Sequence, residues 1–90
     1  MTDEDLNRLK IKLEETMTFP GVYMFKLIVP SENRTIALVE NIFEEGADIL
    51  TKESEKGTYT SITAKQVVIS SEEIIDVYRK AAAIKGVIFL

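Results

Sequence analysis

The segment VYMFKLIV, residues 22–29, decides the fold because its side chains alternate between two sides of an extended chain. One side has large apolar or aromatic residues: Tyr23, Phe25, Leu27 and Val29. The other side is mixed, with Met24, Lys26 and Ile28. This two-residue alternation, in a run rich in β-branched and aromatic residues, predicts a strand with one buried face and one mixed face.

Three segments around this strand have the apolar spacing of amphipathic helices. The first covers about residues 3–16, opens on a capping box of Thr2 and Asp5, and ends before Phe19-Pro20-Gly21. The second is predicted over residues 34–45, with Gly46 at its C-terminal end. The third follows Ser70 and ends before Gly86.

Three further strands are predicted over residues 48–54, 59–69 and 87–90. The first two are joined by a hairpin turn at residues 55–58. The apolar residues of the long strand change from even positions, such as Ile62, to odd positions, at Val67 and Ile69. A bulge near residues 65–66, or burial of both faces at residues 67–69, would explain this change.

The predicted order is a helix followed by β-α-β-β-α-β. This is the ferredoxin-like arrangement of the α+β class, with helices on one face of a four-stranded antiparallel sheet. Right-handed crossovers place the first and third strands in the centre of the sheet and the other two at its edges. We expect one domain over residues 1–90, with the extra N-terminal helix at about 3–16 and the βαββαβ core at about 21–90.

The composition argues against most kinds of active site. The chain has no cysteine and no histidine, so the commonest nucleophile, general base and metal ligands are missing, and we expect no cofactor and no metal. Its net charge of -4 argues against nucleic-acid binding. No apolar run is long enough for a membrane span, and the acidic N-terminal residues are unlike a signal peptide, so we expect a cytoplasmic protein.

The hairpin is the segment that best suits a ligand, because a cation, a flexible turn and an aromatic ring lie close together. The candidate binding residues are Ser54, Lys56, Gly57, Tyr59 and Ser61. The alternative is structural, with Gly57 serving the turn and Tyr59 packing across the strands. Of the carboxylate pairs, Glu44-Glu45 ends a predicted helix and Glu72-Glu73 starts one, positions that we explain by the helix dipole, and we predict no catalytic residue.

Several of these segments together resemble the small bacterial YbeD-like family, whose function is unknown. The resemblance covers about residues 9–90 and rests on Phe19-Pro20, on the strand pattern at residues 25–28, and most specifically on the hairpin pattern SxKGxYxS at residues 54–61. It implies a ferredoxin-like fold similar to ACT domains, which bind amino acids between paired domains. Family members commonly carry glycine after the first strand, where this chain has Val29-Pro30, and this departure argues against an ACT-type amino-acid site.

The leading hypothesis is a non-enzymatic regulatory or interaction module with a protein or small-metabolite partner. We also expect a homodimer formed through the edge of the apolar terminal strand, residues 87–90, unless the N-terminal helix covers that edge. The alternative is a small acylphosphatase-like hydrolase on the same fold. Arg34 and Asn33 lie in the right loop for that chemistry, but the glycine-bearing phosphate cradle is missing.

Overall fold

The computed structural model describes residues 1–90 and contains three helices and four strands. Their bounds are α1 Asp3–Thr16, β1 Gly21–Pro30, α2 Asn33–Glu40, β2 Asp48–Glu53, β3 Tyr59–Val68, α3 Ser71–Ala82 and β4 Ile88–Phe89. The strands form one antiparallel sheet in the order β2-β3-β1-β4. This confirms the predicted α+β class and the ferredoxin-like order with an additional N-terminal helix.

The central pair of strands, β1 and β3, is in register over its whole length, from Gly21 opposite Val68 to Pro30 opposite Tyr59. The odd-numbered side chains of β1 and the even-numbered side chains of β3 face the helices. The ring of Phe25 has no exposed surface, and its centroid lies 4.7 Å from Tyr23, 5.4 Å from Phe43 and 5.6 Å from Tyr78. Phe25 is therefore the centre of the core.

The predicted change of phase in β3 is wrong. The ladder to β1 continues without a bulge, and Val67 and Ile69 are 58% and 69% exposed. Gln66 takes the buried position instead, because its Oε1 accepts a hydrogen bond of 3.0 Å from the backbone N–H of Glu44. Because a buried position is filled by a hydrogen-bonded polar side chain, the apolar alternation in the sequence is interrupted there although the strand is regular.

The second helix and the last strand are shorter than predicted. α2 ends at Glu40, and turns held by short-range backbone bonds, including Phe43 N–H to Glu40 O at 3.3 Å, lead to Ala47. These turns aim Phe43 into the core against Phe25. The last strand is limited to Ile88–Phe89, although Leu90 N–H still donates to Lys26 O at 3.2 Å.

The extra helix α1 lies against α3. Both bonds of the Thr2–Asp5 capping box are formed, at 3.1 Å each, and Leu6 and Leu13 are buried. Its polar contacts also reach α3: Ser71 Oγ donates to Glu14 at 2.9 Å, and Asp3 pairs with Arg79 at 2.9 Å. α1 therefore extends the helical layer.

The entry into β4 is fixed by a contact that only glycine allows. Gly86 has a φ of 89°, and a Cβ atom there would lie 3.0 Å from Cγ of Pro30. Any other residue would combine a strained backbone with an unusually close contact to the proline ring. The end of β1 and the start of β4 are held together at this point.

The two residues of β4 provide a matched test of the last strand. The ring of Phe89 packs towards the core at 5.7 Å from Tyr78, whereas Ile88 on the other face is 48% exposed. We expect Phe89→Ala to lower the free energy of unfolding by about 2 kcal/mol, and Ile88→Ala by less than about 1 kcal/mol. Urea denaturation measures both values, and equal effects would show that β4 does not pack as described.

Tyr78 gives the fold a defined sensitivity to alkaline pH. Burial, together with the 3.1 Å hydrogen bond between its hydroxyl and that of Tyr23, raises the pKa of Tyr78 far above its usual value. Below about pH 10 Tyr78 is protonated in both the folded and the unfolded chain, and its full contribution to stability is present. Above about pH 10 the unfolded chain loses the Tyr78 hydroxyl proton while the folded chain keeps it, so the free energy of unfolding falls by up to about 1.4 kcal/mol per pH unit. We expect Tyr78→Phe to make the decline shallower in denaturation measured from pH 8 to 11.5. Tyr59→Phe, which removes a tyrosine that is 45% exposed, is the control and should keep the parent slope.

Candidate functional site

All three helices cover the same face of the sheet, and the other face, the open face, is uncovered. Seven large apolar or aromatic side chains on it are between 45% and 67% exposed: Val22, Met24, Leu50, Tyr59, Val67, Ile88 and Leu90. Isolated exposed apolar residues are common, but a group on one continuous face is typical of an interaction surface.

The apolar side chains of the open face are concentrated along β1 and β4. Val22 lies opposite Val67 at one end, Met24 follows, and Ile28 lies opposite Ile88 towards the other end. We call this row, Val22, Met24, Ile28 and Ile88, the apolar strip. Lys26 lies within the strip, between Met24 and Ile28.

The charged side chains of the open face are mainly basic. They are Lys26 on β1, Lys52 on β2, Lys65 on β3 and Asp48, which lies opposite Lys65. None of these lysines forms an ion pair within 4.0 Å. The chain as a whole has 15 acidic and 11 basic residues, so the open face is opposite in sign to the rest of the molecule.

Three of the predicted binding residues come together at one end of the open face. Ser54, Tyr59 and Ser61 line an open hollow of about 200 Å³ together with Ile28, Lys52 and Glu53. The polar atoms of the two serines are already engaged in the hairpin. Ser54 Oγ accepts from Tyr59 N–H at 3.1 Å, and Ser61 Oγ donates to Lys52 O at 3.3 Å.

The other two predicted binding residues lie at the tip of the hairpin. Gly57 has a φ of 71°, as the turn requires, and its N–H donates to Ser54 O at 2.9 Å. Lys56 lines a second open hollow, of about 290 Å³, with Ser54, Glu55, Thr58 and Tyr59, and forms no ion pair within 4.0 Å. The structure thus places all five residues at one end of the sheet and gives the serines and Gly57 a role in the hairpin itself.

The residues considered for phosphate chemistry do not form a cradle. Asn33 and Arg34 open α2, but the N-cap is Glu32, and its carboxylate accepts from Thr35 Oγ1 at 3.5 Å. A phosphate at this helix end would meet that negative charge. Arg34 lines an open hollow of about 430 Å³ with Ala37, Leu38 and Asn41, without a glycine.

The carboxylates of the pair Glu72-Glu73 have structural partners. Glu73 accepts from the N–H of Ile69 at the start of α3, and Glu72 pairs with Lys10 of α1 at 3.2 Å. The predicted position of Glu44-Glu45 at a helix end is wrong, because α2 already ends at Glu40. Glu44 contributes its backbone N–H, which donates to Gln66 Oε1. No group of three or more metal-ligating side chains is placed around a common point, and no helix has the length and apolarity to cross a bilayer.

Sequence reasoning missed the open face as a site. It took Val67 and Ile69 for buried residues, and it described Met24 and Ile28 only as a mixed face. The predicted topology could have revealed it. Every helix of this fold lies on one side of the sheet, so the apolar residues at even and at odd positions of β1 and β3 cannot all be buried.

Comparisons with known proteins place the chain in a family. The model of a family described as "Protein of unknown function (DUF493)" matches residues 14–90. A UPF0250 protein of Shewanella halifaxensis is 35% identical over 83 residues, which cover 88% of this chain and 94% of the relative. UPF0250 proteins of Shewanella piezotolerans and Shewanella putrefaciens are 34% and 35% identical over the same shares.

No protein of solved structure matches the chain. The family and its relatives agree with the resemblance to the YbeD-like proteins that the hairpin and first strand indicated. Since the family model spans all four strands, α2 and α3, and the relatives match most of both chains, the protein belongs to the DUF493 family of unknown function.

Proposed function

We propose that this protein is a non-catalytic interaction module that binds a partner protein through the open face of its sheet. The observation that carries the proposal is the group of seven exposed apolar and aromatic side chains on that face. Leaving them in water is unfavourable by roughly 25 cal/mol for each Å² of apolar surface, and a partner that covers the face recovers this free energy.

The shape of the surface favours a protein partner over a small metabolite. Small-molecule sites are concave and enclose most of their ligand. The hollows of this molecule are open. Two of them, at one end of the open face, are lined in part by the predicted hairpin residues Ser54, Lys56, Tyr59 and Ser61, and Gly57 lies in the turn beside them. We propose that these residues form the margin of the partner-binding surface, and that any regulatory role is exerted through it.

Self-association through a sheet edge is a second part of the proposal. The free edge of β2 carries charged residues, Asp48, Lys52 and Glu53, of the kind that discourage strand pairing. The edge formed by Ile88–Phe89 has none, and α1 packs chiefly on α3 instead of on this strand. A second copy of the chain pairing at β4 therefore remains our expectation for a homodimer.

In-cell photo-crosslinking tests which face meets a partner. Met24 on the open face and Ile11 on α1 are 52% and 51% exposed, so they form a matched pair for replacement by p-benzoylphenylalanine. We expect irradiation of native cells to give discrete crosslinked products from position 24 and none from position 11. Products that contain two copies of this chain and arise from Ile88 but not from Met24 would identify the homodimer at the β4 edge.

Crosslinking that is equal at the two positions, or stronger at Ile11, contradicts the proposal that the open face is the binding surface. Denaturing gels give the product masses, and mass spectrometry distinguishes a second copy from another protein. Leu38 on α2, which is 45% exposed, provides an additional helix-side control.

The non-catalytic part of the proposal predicts no turnover of acetyl phosphate or p-nitrophenyl esters by the purified protein. The physical reason is the lack of histidine and cysteine and the carboxylate of Glu32 at the start of α2. Spectrophotometric and phosphate-release assays measure the rate. Turnover that is lost in Arg34→Ala or Asn33→Ala, but kept in Arg8→Ala, would identify a hydrolase instead.

A further inference from the structure

The partner class can be inferred from the chemistry of the open face. We infer that the apolar strip and its lysines receive an acidic amphipathic helix of another protein, with apolar side chains on one face and Glu or Asp at its borders. This inference rests on the proposed function and adds the kind of partner to it.

The lysines of the open face favour an acidic partner. Lys26 lies within the apolar strip, and Lys65 lies beside Met24 on the neighbouring strand. Lys52 is level with Ile28, two strands away. None of the three forms an ion pair within 4.0 Å, so their charges are available to an acidic partner. Asp48 lies opposite Lys65 and Glu53 shares a hollow with Lys52, whereas Lys26 lies opposite the uncharged Thr63.

The length of the apolar strip matches a helix of ordinary size. The strip from Val22 to Ile28 is about 20 Å long at the rise of a β-strand, which equals the length of about 13 helical residues. On the covered face, α3 already packs on the sheet in this manner through Ile74, Val77 and Ala81. A helix on the open face would complete a three-layer arrangement of helix, sheet and helix.

Other occupants fit the same face less well. A second copy placed face to face would oppose lysines with lysines. Nucleic acid and anionic membranes present phosphates over a wide area, and the three lysines of this face, with Asp48 among them, form too small a basic surface to neutralise them. The aromatic side chains of β1 are also missing from the open face, since Tyr23 and Phe25 point towards the helices.

A binding experiment with a model peptide tests the inference. The probe is an 18-residue peptide of Leu, Ala and Glu, with Leu on one helical face and Glu at its borders; the matched probe has Lys at every Glu position. Titration into the ¹⁵N-labelled full chain is followed by amide chemical shifts. We expect the acidic peptide to shift the open-face residues of β1, β3 and β4, with affinity that falls as salt is added, and the basic peptide to bind at least about tenfold more weakly.

Charge reversal on the protein gives the matched control. The double variant Lys26→Glu, Lys65→Glu should weaken acidic-peptide binding at least about tenfold. The variant Lys12→Glu, Lys80→Glu makes the same change of total charge on α1 and α3 and should bind as the parent does. Met24→Ser should weaken binding, whereas Ile11→Ser should not. The amide spectra show whether each variant is folded, and Lys26→Gln, Lys65→Gln replaces the reversal if it is not.

The inference is overturned if the acidic peptide fails to bind, shifts the helical face, or binds both charge-reversed variants equally. It is also overturned if phosphatidylglycerol vesicles, a 12-nucleotide RNA or a second copy of the chain occupies the open face in preference to the acidic peptide. Crosslinking from Met24 without acidic-peptide binding would leave the proposed interaction module intact and reject only this partner class.

Discussion

The unbroken ladder between β1 and β3 is the constraint on which the rest of the structure depends. Ten residue pairs fix which side chains of both strands point to the helices, and with them the position of Phe25 at the centre of the core. A shift of one residue would turn Val22, Met24 and Lys26 inwards and expose the aromatic cluster. The composition of the open face is therefore a direct consequence of the register that buries the core.

Sequence reasoning predicted the fold well because the strands and helices follow strong local rules. The alternation in residues 22–29, the glycine at position 57 and the capping box at Thr2 each have one dominant physical explanation, and each is present in the structure. The errors arose where tertiary contacts replace local pattern. Gln66 is buried because the backbone of Glu44 satisfies its amide oxygen, and α2 stops early because the turns after it carry Phe43 into the core.

The candidate site was harder to predict, because it is the face of the sheet that no helix covers. The hairpin residues were visible as a motif, and the structure brings them together at one end of the sheet. The apolar strip has no motif of its own. It is assembled from side chains that belong to separate strands, and its exposure follows from all helices lying on the opposite face.

The position of α1 divides the molecule into two levels of local stability. α1 contacts the rest of the chain chiefly through α3, and its ion pairs with that helix are largely exposed to water. Such pairs contribute little, so the attachment depends mainly on Leu6 and Leu13. We therefore expect α1 to detach as a subglobal opening unit while the β1–β3 ladder stays intact, which would uncover the outer side of α3 without unfolding the sheet.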